Sequence, residues 1–276
     1  MKFFGKCTAP LLAVILIGCG AAGASAQATG DLLVAPTRVV LDGKRGTEVI
    51  LDNIGNEEAT YRISLELRRM TDRGKLDDIA TENANDREKA ALDVIRFAPR
   101  RVTLPPNQPQ SVRIGVGDMS ALPDGEYRAH MLFRAIPKTP EPSSDGAPAE
   151  GVKINLIPVY GVAIPVIIRK GELKATAALA DASVVRDGET PLLQFHMSRS
   201  GDRSVFGDVH VTKAGVKDPL LVAKGVAVYP EVDGRLVALP LSSTQADALQ
   251  GEVTISYYEA AEAGGALIAQ LRTVLR

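Results

Sequence analysis

Three histidines, His130, His196 and His210, are the residues to test first for catalysis. His130 sits within a β pattern, where a histidine reads as structural. Neither His196 nor His210 has a carboxylate or cysteine at metal-ligand spacing. The sequence holds no G-x-S-x-G elbow, no H-E-x-x-H and no glycine-rich phosphate loop. The acidic pair Asp77-Asp78 falls between β segments and reads as a solvated loop. Cys7 and Cys19 are the only cysteines, and both lie in the first twenty residues. We therefore expect no enzyme: no catalytic residue, no metal and no cofactor. What the side chains offer instead is non-covalent.

That chemistry is concentrated between Gly151 and Arg169. Every even position there is apolar: Val152, Ile154, Leu156, Pro158, Tyr160, Val162, Ile164, Val166 and Ile168. Successive side chains of an extended strand point to opposite faces, so a period of two lines one face with nonpolar groups. The opposite face mixes Lys153, Asn155 and Arg169 with Ile157, Val159, Ala163 and Ile167. Strands in globular domains usually stop at about five or six residues. One about three times that long projects beyond its sandwich, or bends to serve two. Pro158 has no N–H to donate, so the ladder at that position is interrupted or faces water.

The N-terminus reads as an export signal. Lys2 and Lys6 precede an apolar run from Ala9 to Gly18, and Ala24-Ser25-Ala26 offers a small-residue cleavage site. The run is shorter than the roughly twenty residues a membrane span needs. We expect cleavage after Ala26 and a soluble product. The competing signal, Leu16-Ile17-Gly18-Cys19, resembles a lipobox and would make Cys19 a lipid anchor. Cleavage after Ala26 leaves 250 residues without cysteine, so burial alone must hold the core. Those residues carry 30 basic and 33 acidic side chains, a net charge of −3. Such a balance points away from nucleic acid and anionic lipid.

The elements that must position the long strand are short β segments separated by turn residues, the pattern of antiparallel sandwiches. We expect strands at Asp31–Leu41, Thr47–Asn53, Thr60–Met70, Arg101–Leu104, Ser111–Gly117, Gly125–Ile136 and Val152–Arg169. Asp42-Gly43, Arg73-Gly74 and Asp124-Gly125 supply tight turns. Residues 85–95 (NDREKAALDVI) combine helix formers with i, i+3/i+4 spacing and predict a short crossover helix. The Pro- and Ser-rich stretch from Pro137 to Glu150 predicts a mobile loop. Beyond a hinge at Lys170-Gly171 come Leu173–Val185, Pro191–Ser198, Val205–Lys213, Pro219–Val228, Leu236–Leu239, Glu252–Tyr258 and Ala266–Leu275. The fold class is all-β, two immunoglobulin-like sandwiches in tandem. The expected division is a leader of residues 1–26, a first domain of 27–169 and a second of 170–276.

In this order the segments resemble periplasmic pilus-assembly chaperones of the chaperone–usher type, a two-domain immunoglobulin-like family. Thr37-Arg38 followed by Asp42-Gly43 resembles the family's opening. Leu122-Pro123, Asp124-Gly125-Glu126-Tyr127, Phe133-Arg134 and Ile136-Pro137 match its sixth strand. The Pro/Ser-rich loop and the alternating strand ending in Ile168-Arg169 follow in the expected places.

The resemblance implies a periplasmic protein that lends its long strand to the open groove of a pilus or fimbrial subunit, a known mode of strand addition. The donors would be Ile154, Leu156, Tyr160 and Val162, with Val152 at the start. Burying four such groups contributes about 6–12 kcal/mol gross, before ordering costs. Arg38 would grip the subunit's terminal carboxylate, and Glu126 with Arg169 would fix the interdomain angle through a buried ionic network. The implied partners are fimbrial-type subunits, an outer-membrane usher and, without a client, a self-capping dimer; no nucleotide or nucleic acid is involved. One position departs from the family. The lysine that would share the carboxylate with Arg38 is, by spacing from Arg169, Pro165. Arg38 alone can hold a carboxylate bidentately, and Lys153 and Arg113 are the other candidate cations. The alternative is a secreted two-domain immunoglobulin-like binding or structural module in which the long strand is internal.

Overall fold

Residues 31–137, 158–188 and 190–276 are described by the computed structural model. In chain order the first sandwich contains β1 (Leu32–Ala35), β2 (Val39–Leu41), β3 (Thr47–Asn53), β4 (Ala59–Met70) and β5 (Leu76–Ile79). Helix α1 (Asp86–Val94), β6 (Ile95–Ala98), β7 (Arg101–Leu104), β8 (Gln110–Val116), β9 (Gly125–Ile136) and β10 (Gly161–Lys170) follow. One sheet has the order β1-β3-β8-β6, and the other β2-β10-β9-β4-β5 with β7 also paired to β4.

The segment Asp31–Leu41, expected as one strand, is two. Pro36 lacks the N–H a ladder needs, and there the chain passes from one sheet to the other. β1 pairs antiparallel with β3, whereas β2 runs parallel to β10. Between the sheets, alternate residues meet in one core. Val49 and Leu51 of β3 and Val112 and Ile114 of β8 face Tyr61, Ile63, Met131, Phe133, Ile164 and Val166. Tyr127, near the start of β9, donates its hydroxyl to the carbonyl of Pro123 at 2.6 Å, the tyrosine corner of immunoglobulin-like sandwiches.

The predicted helix forms where its spacing places it, because Asn85 and Glu88 close a capping box. The Glu88 N–H donates to Asn85 Oδ1 at 2.9 Å, and the Asn85 N–H donates to Glu88 Oε2 at 2.8 Å. Asn85→Ala should therefore cost about 1 kcal/mol, read as a lower urea midpoint with an unchanged slope. Two short strands were not expected. β5 carries Asp77 and Asp78, read from sequence as loop. In the strand they are held by cations, Asp77 by Lys75 at 2.7 Å and Asp78 by Arg68 at 3.0 Å.

The second sandwich contains β11 (Ala175–Asp187), β12 (Thr190–Gly201), β13 (Val205–Thr212), β14 (Leu221–Val228), β15 (Gly234–Pro240), helix α2 (Ser243–Ala248), β16 (Gly251–Glu259) and β17 (Leu267–Leu275). Its sheets have the orders β11-β12-β15 and β14-β13-β16-β17. Leu193, Phe195, Met197, Val209, Val211, Ile255 and Tyr257 fill its separate core. The chain enters this half through Gly171, whose φ is +84° and where an added Cβ would collide with the Asp124 carboxylate. Only glycine fits both the left-handed backbone and that approach.

Among the described residues, no helix is long and apolar enough to cross a membrane. The leader, the Pro/Ser-rich stretch and the first part of the alternating row, residues 151–157, lie outside them.

Candidate functional site: an open strand edge beside an arginine cleft

β10 is bordered on one side along its whole length and on the other only at its end. It pairs antiparallel with β9 from Gly161–Arg134 to Lys170–Gly125. The Ala135 N–H donates to the carbonyl of Tyr160 at 2.9 Å. Residues opposite one another alternate between bonded and non-bonded pairs, so the even residues of β10 bond to β9. The odd residues, Gly161, Ala163, Pro165, Ile167 and Arg169, turn their backbone groups the other way. β2 takes up that side only across Val166–Ile168. Among the described residues, no strand lies beside Gly161 and Ala163, so their N–H and C=O groups form an open edge. Pro165 stands where its missing N–H faces away from β9, the placement sheets tolerate.

The apolar row divides in two along this strand. Ile164, Val166 and Ile168 are buried in the first core, and Val162 is half-buried against it. Tyr160 is 54% exposed and Val159 50%. Both precede β10, as does Pro158, so among the described residues the expected strand Val152–Arg169 begins at Gly161. Val152, Ile154 and Leu156 lie outside the described residues.

Arg38 sits one step before the Val39–Val166 pair, at the end of the open edge. Its guanidinium lies 4.3 Å from the Phe206 ring centroid and 5.8 Å from that of Tyr229. It donates to Tyr229 Oη at 3.4 Å and Ser204 Oγ at 3.3 Å, both long. Among the described residues no carboxylate pairs with it within salt-bridge distance. Burial lowers its pKa, partly offset by Tyr229 and Glu126, and an arginine keeps its charge through such a shift.

The residues expected to join the two halves do meet. Arg169 Nε lies 3.0 Å from Glu126 Oε2, which also accepts from the Ser204 N–H at 3.0 Å and Ser204 Oγ at 2.8 Å. Sequence did not single out Ser204, nor a second junction beside it. Arg128 lies 3.6 Å from the Tyr229 ring centroid and pairs with Glu231 at 2.6 Å. The Met70 N–H donates to the same Glu231 oxygen at 2.7 Å. Met70, Ile167, Ala227 and Tyr229 bury one another between the sandwiches. No local period marks these residues, because their partners lie on other strands far along the chain.

Arg113, considered as a replacement cation, is on β8 in the opposite sheet, paired with Glu48 at 3.1 Å. Lys153 lies outside the described residues. His130 is the unexpected neighbour. It stands opposite Pro165 on β9 and is 2% exposed, yet neither ring nitrogen has a hydrogen-bond partner among the described residues. Desolvation pushes its pKa down to about 3, aided by Arg128, Arg68 and Arg38.

The chain is similar to solved fimbrial chaperones. One is the CsuC–CsuE chaperone–tip adhesion subunit pre-assembly complex from the archaic chaperone–usher Csu pili of Acinetobacter baumannii. The identity there is 11%, covering 89% of this chain and 98% of that one, with a TM-score of 0.45. The E. coli chaperone DraB matches at 15% identity over 89% of this chain and 96% of that one, TM-score 0.45. The SafB chaperone in complex with the SafA pilin of Salmonella enterica matches at 15% identity, 88% and 96% coverage and a TM-score of 0.43. No protein-family model matches the chain, and no curated protein does.

Proposed function

We propose that this protein is a periplasmic chaperone that captures pilus- or fimbria-like subunits by adding a strand to their incomplete sandwich. One observation carries this reading. The unpaired edge of β10 at Gly161 and Ala163 ends beside Arg38, a half-buried guanidinium with no carboxylate of its own among the described residues. A bound strand gains backbone hydrogen bonds along such an edge and apolar contact from side chains beyond it. Tyr160 is placed for that contact, and the row Val152, Ile154 and Leu156 continues the same period. A chain ending at the cleft brings its α-carboxylate to Arg38, where guanidinium–carboxylate bonds are among the strongest a surface can make. Glu126, Arg169 and Ser204 hold the cleft's two walls in place. Delivery to an outer-membrane usher completes the role. It should need no nucleotide, since the sequence holds no glycine-rich phosphate loop.

Co-expression tests the reading. A fimbrial-type subunit lacking its last strand, produced in the periplasm, should be degraded alone and recovered as a one-to-one complex with this protein. With Arg38→Ala, recovery should fall at least tenfold, the weight of about 1.4 kcal/mol, while the melting temperature moves little. Undiminished recovery with Arg38→Ala would remove Arg38 from the mechanism. No recovery with the unaltered protein would favour a two-domain binding module whose long strand is internal.

A further inference from the structure

Four side chains form one row across the outer face of the larger sheet of the first sandwich. Pro165 on β10, His130 on β9 and Glu66 on β4 stand side by side in the pairing registers, and Arg38, the residue before β2, continues the row one step ahead of the Val39–Val166 pair. Their sequence neighbours Val39, Ile164, Val166, Ala129 and Met131 are buried in the core behind the sheet, so the row points away from it. Strands are about 4.8 Å apart, which leaves Arg38 and His130 flanking the uncharged ring of Pro165.

The two flanking groups are each incomplete. Buried polar atoms are nearly always hydrogen-bonded, and an orphan calls for an explanation. His130 has two, Nδ1 and Nε2, at 2% exposure. Of the three guanidiniums acting on it, Arg128 is paired with Glu231 and Arg68 with Glu66 and Asp78. Arg38 alone has no acidic partner among the described residues. The missing component is a compact anion with acceptors on two sides, able to take hydrogen bonds from a guanidinium and an imidazole together. A carboxylate at a chain end has that form.

We propose that His130 is the second binding residue for a terminal carboxylate held by Arg38, the anion lying over Pro165. This rests on the chaperone reading above and adds to it the residue that completes the anchor. Glu66 opposite the ring is taken up by Arg68 and Arg134, so an arriving carboxylate adds a negative charge not already paired, and binding favours the doubly protonated imidazole, with one N–H directed at the anion.

The test uses the full exported chain and a short synthetic peptide of alternating valines, made with a free C-terminal carboxylate and as its amide. Unaltered protein should bind the acid more tightly than the amide. His130→Leu should erase about tenfold of that preference, as one hydrogen bond to a charged group is worth, and leave amide binding unchanged. In protein labelled with 15N-histidine, the acid peptide should move the His130 ring resonances toward the imidazolium position, and the amide should not. If His130→Leu keeps the full preference, or the ring resonances stay put, His130 is not part of the anchor, and Arg38 stands alone. If unaltered protein does not discriminate, or binds neither peptide, the anchor reading itself fails. Should His130→Leu not fold, the resonances of the unaltered protein decide.

Discussion

Glu126→Ala should remove about 3–5 kcal/mol from the stability of the joined sandwiches, the cost of breaking a buried ion pair from one side. Glu126 is 3% exposed, and one of its oxygens accepts from Arg169 Nε, the Ser204 N–H and Ser204 Oγ. Alanine strands all three donors. The Ser204 N–H then has no partner in a residue with 0% exposure, and Arg169 keeps its charge without a counter-ion. The other Glu126 oxygen has no partner among the described residues, so an amide can place its NH2 there and keep the accepting oxygen. Glu126→Gln should therefore lose only the charge assistance, about 1–2 kcal/mol. Urea unfolding followed by circular dichroism measures both. The alanine variant should also lose the coupling between halves and unfold in two steps, with a wider interdomain angle by small-angle scattering. A single unchanged transition would show that the junction of Arg128, Glu231 and Tyr229 holds the halves together by itself.

What could be read in advance follows from where the information lies. Thr47–Asn53 and Gly125–Ile136 have the predicted bounds, because the alternating burial of the first, the continuous apolar run of the second and their flanking turns are local properties of the chain. α1 was legible from its helix formers and spacing. α2 was equally available, since Ser242 and Gln245 carry a capping box at the required spacing, but six residues give too little periodicity to draw attention. β5 was hidden because Leu-Asp-Asp-Ile lacks alternation, and its charges are satisfied by Lys75 and Arg68 on neighbouring positions. The pairing of Glu126 with Arg169 came only through a likeness to known proteins. Tyr229 and Glu231, in the turn after β14, had no signal at all, since a contact between segments a hundred residues apart leaves no mark on spacing. His130 shows the limit most sharply. Its position in a strand was plain, but its missing partners become visible only when the three arginines around it are placed.

Acid should weaken the free protein through that same histidine. The ordinary imidazole pKa is 6.5, and burial with Arg128, Arg68 and Arg38 nearby pushes His130 down to about 3. Above pH 6.5 both folded and unfolded chains carry it neutral, and it adds no pH dependence. Below that value the unfolded chain takes up a proton that the folded one refuses, so stability falls with pH until about 3. At pH 5 the loss is about 2 kcal/mol, or roughly 4–8 °C in melting temperature for a chain of this size. His130→Leu should flatten the profile between pH 7 and 5; an equal slope in the variant would assign the loss to other groups. A carboxylate bound at Arg38 should act in the opposite direction, because an anion beside the ring lets the folded state accept the proton. The complex should then resist mild acid better than the free protein, and the difference should vanish when the bound strand ends in an amide.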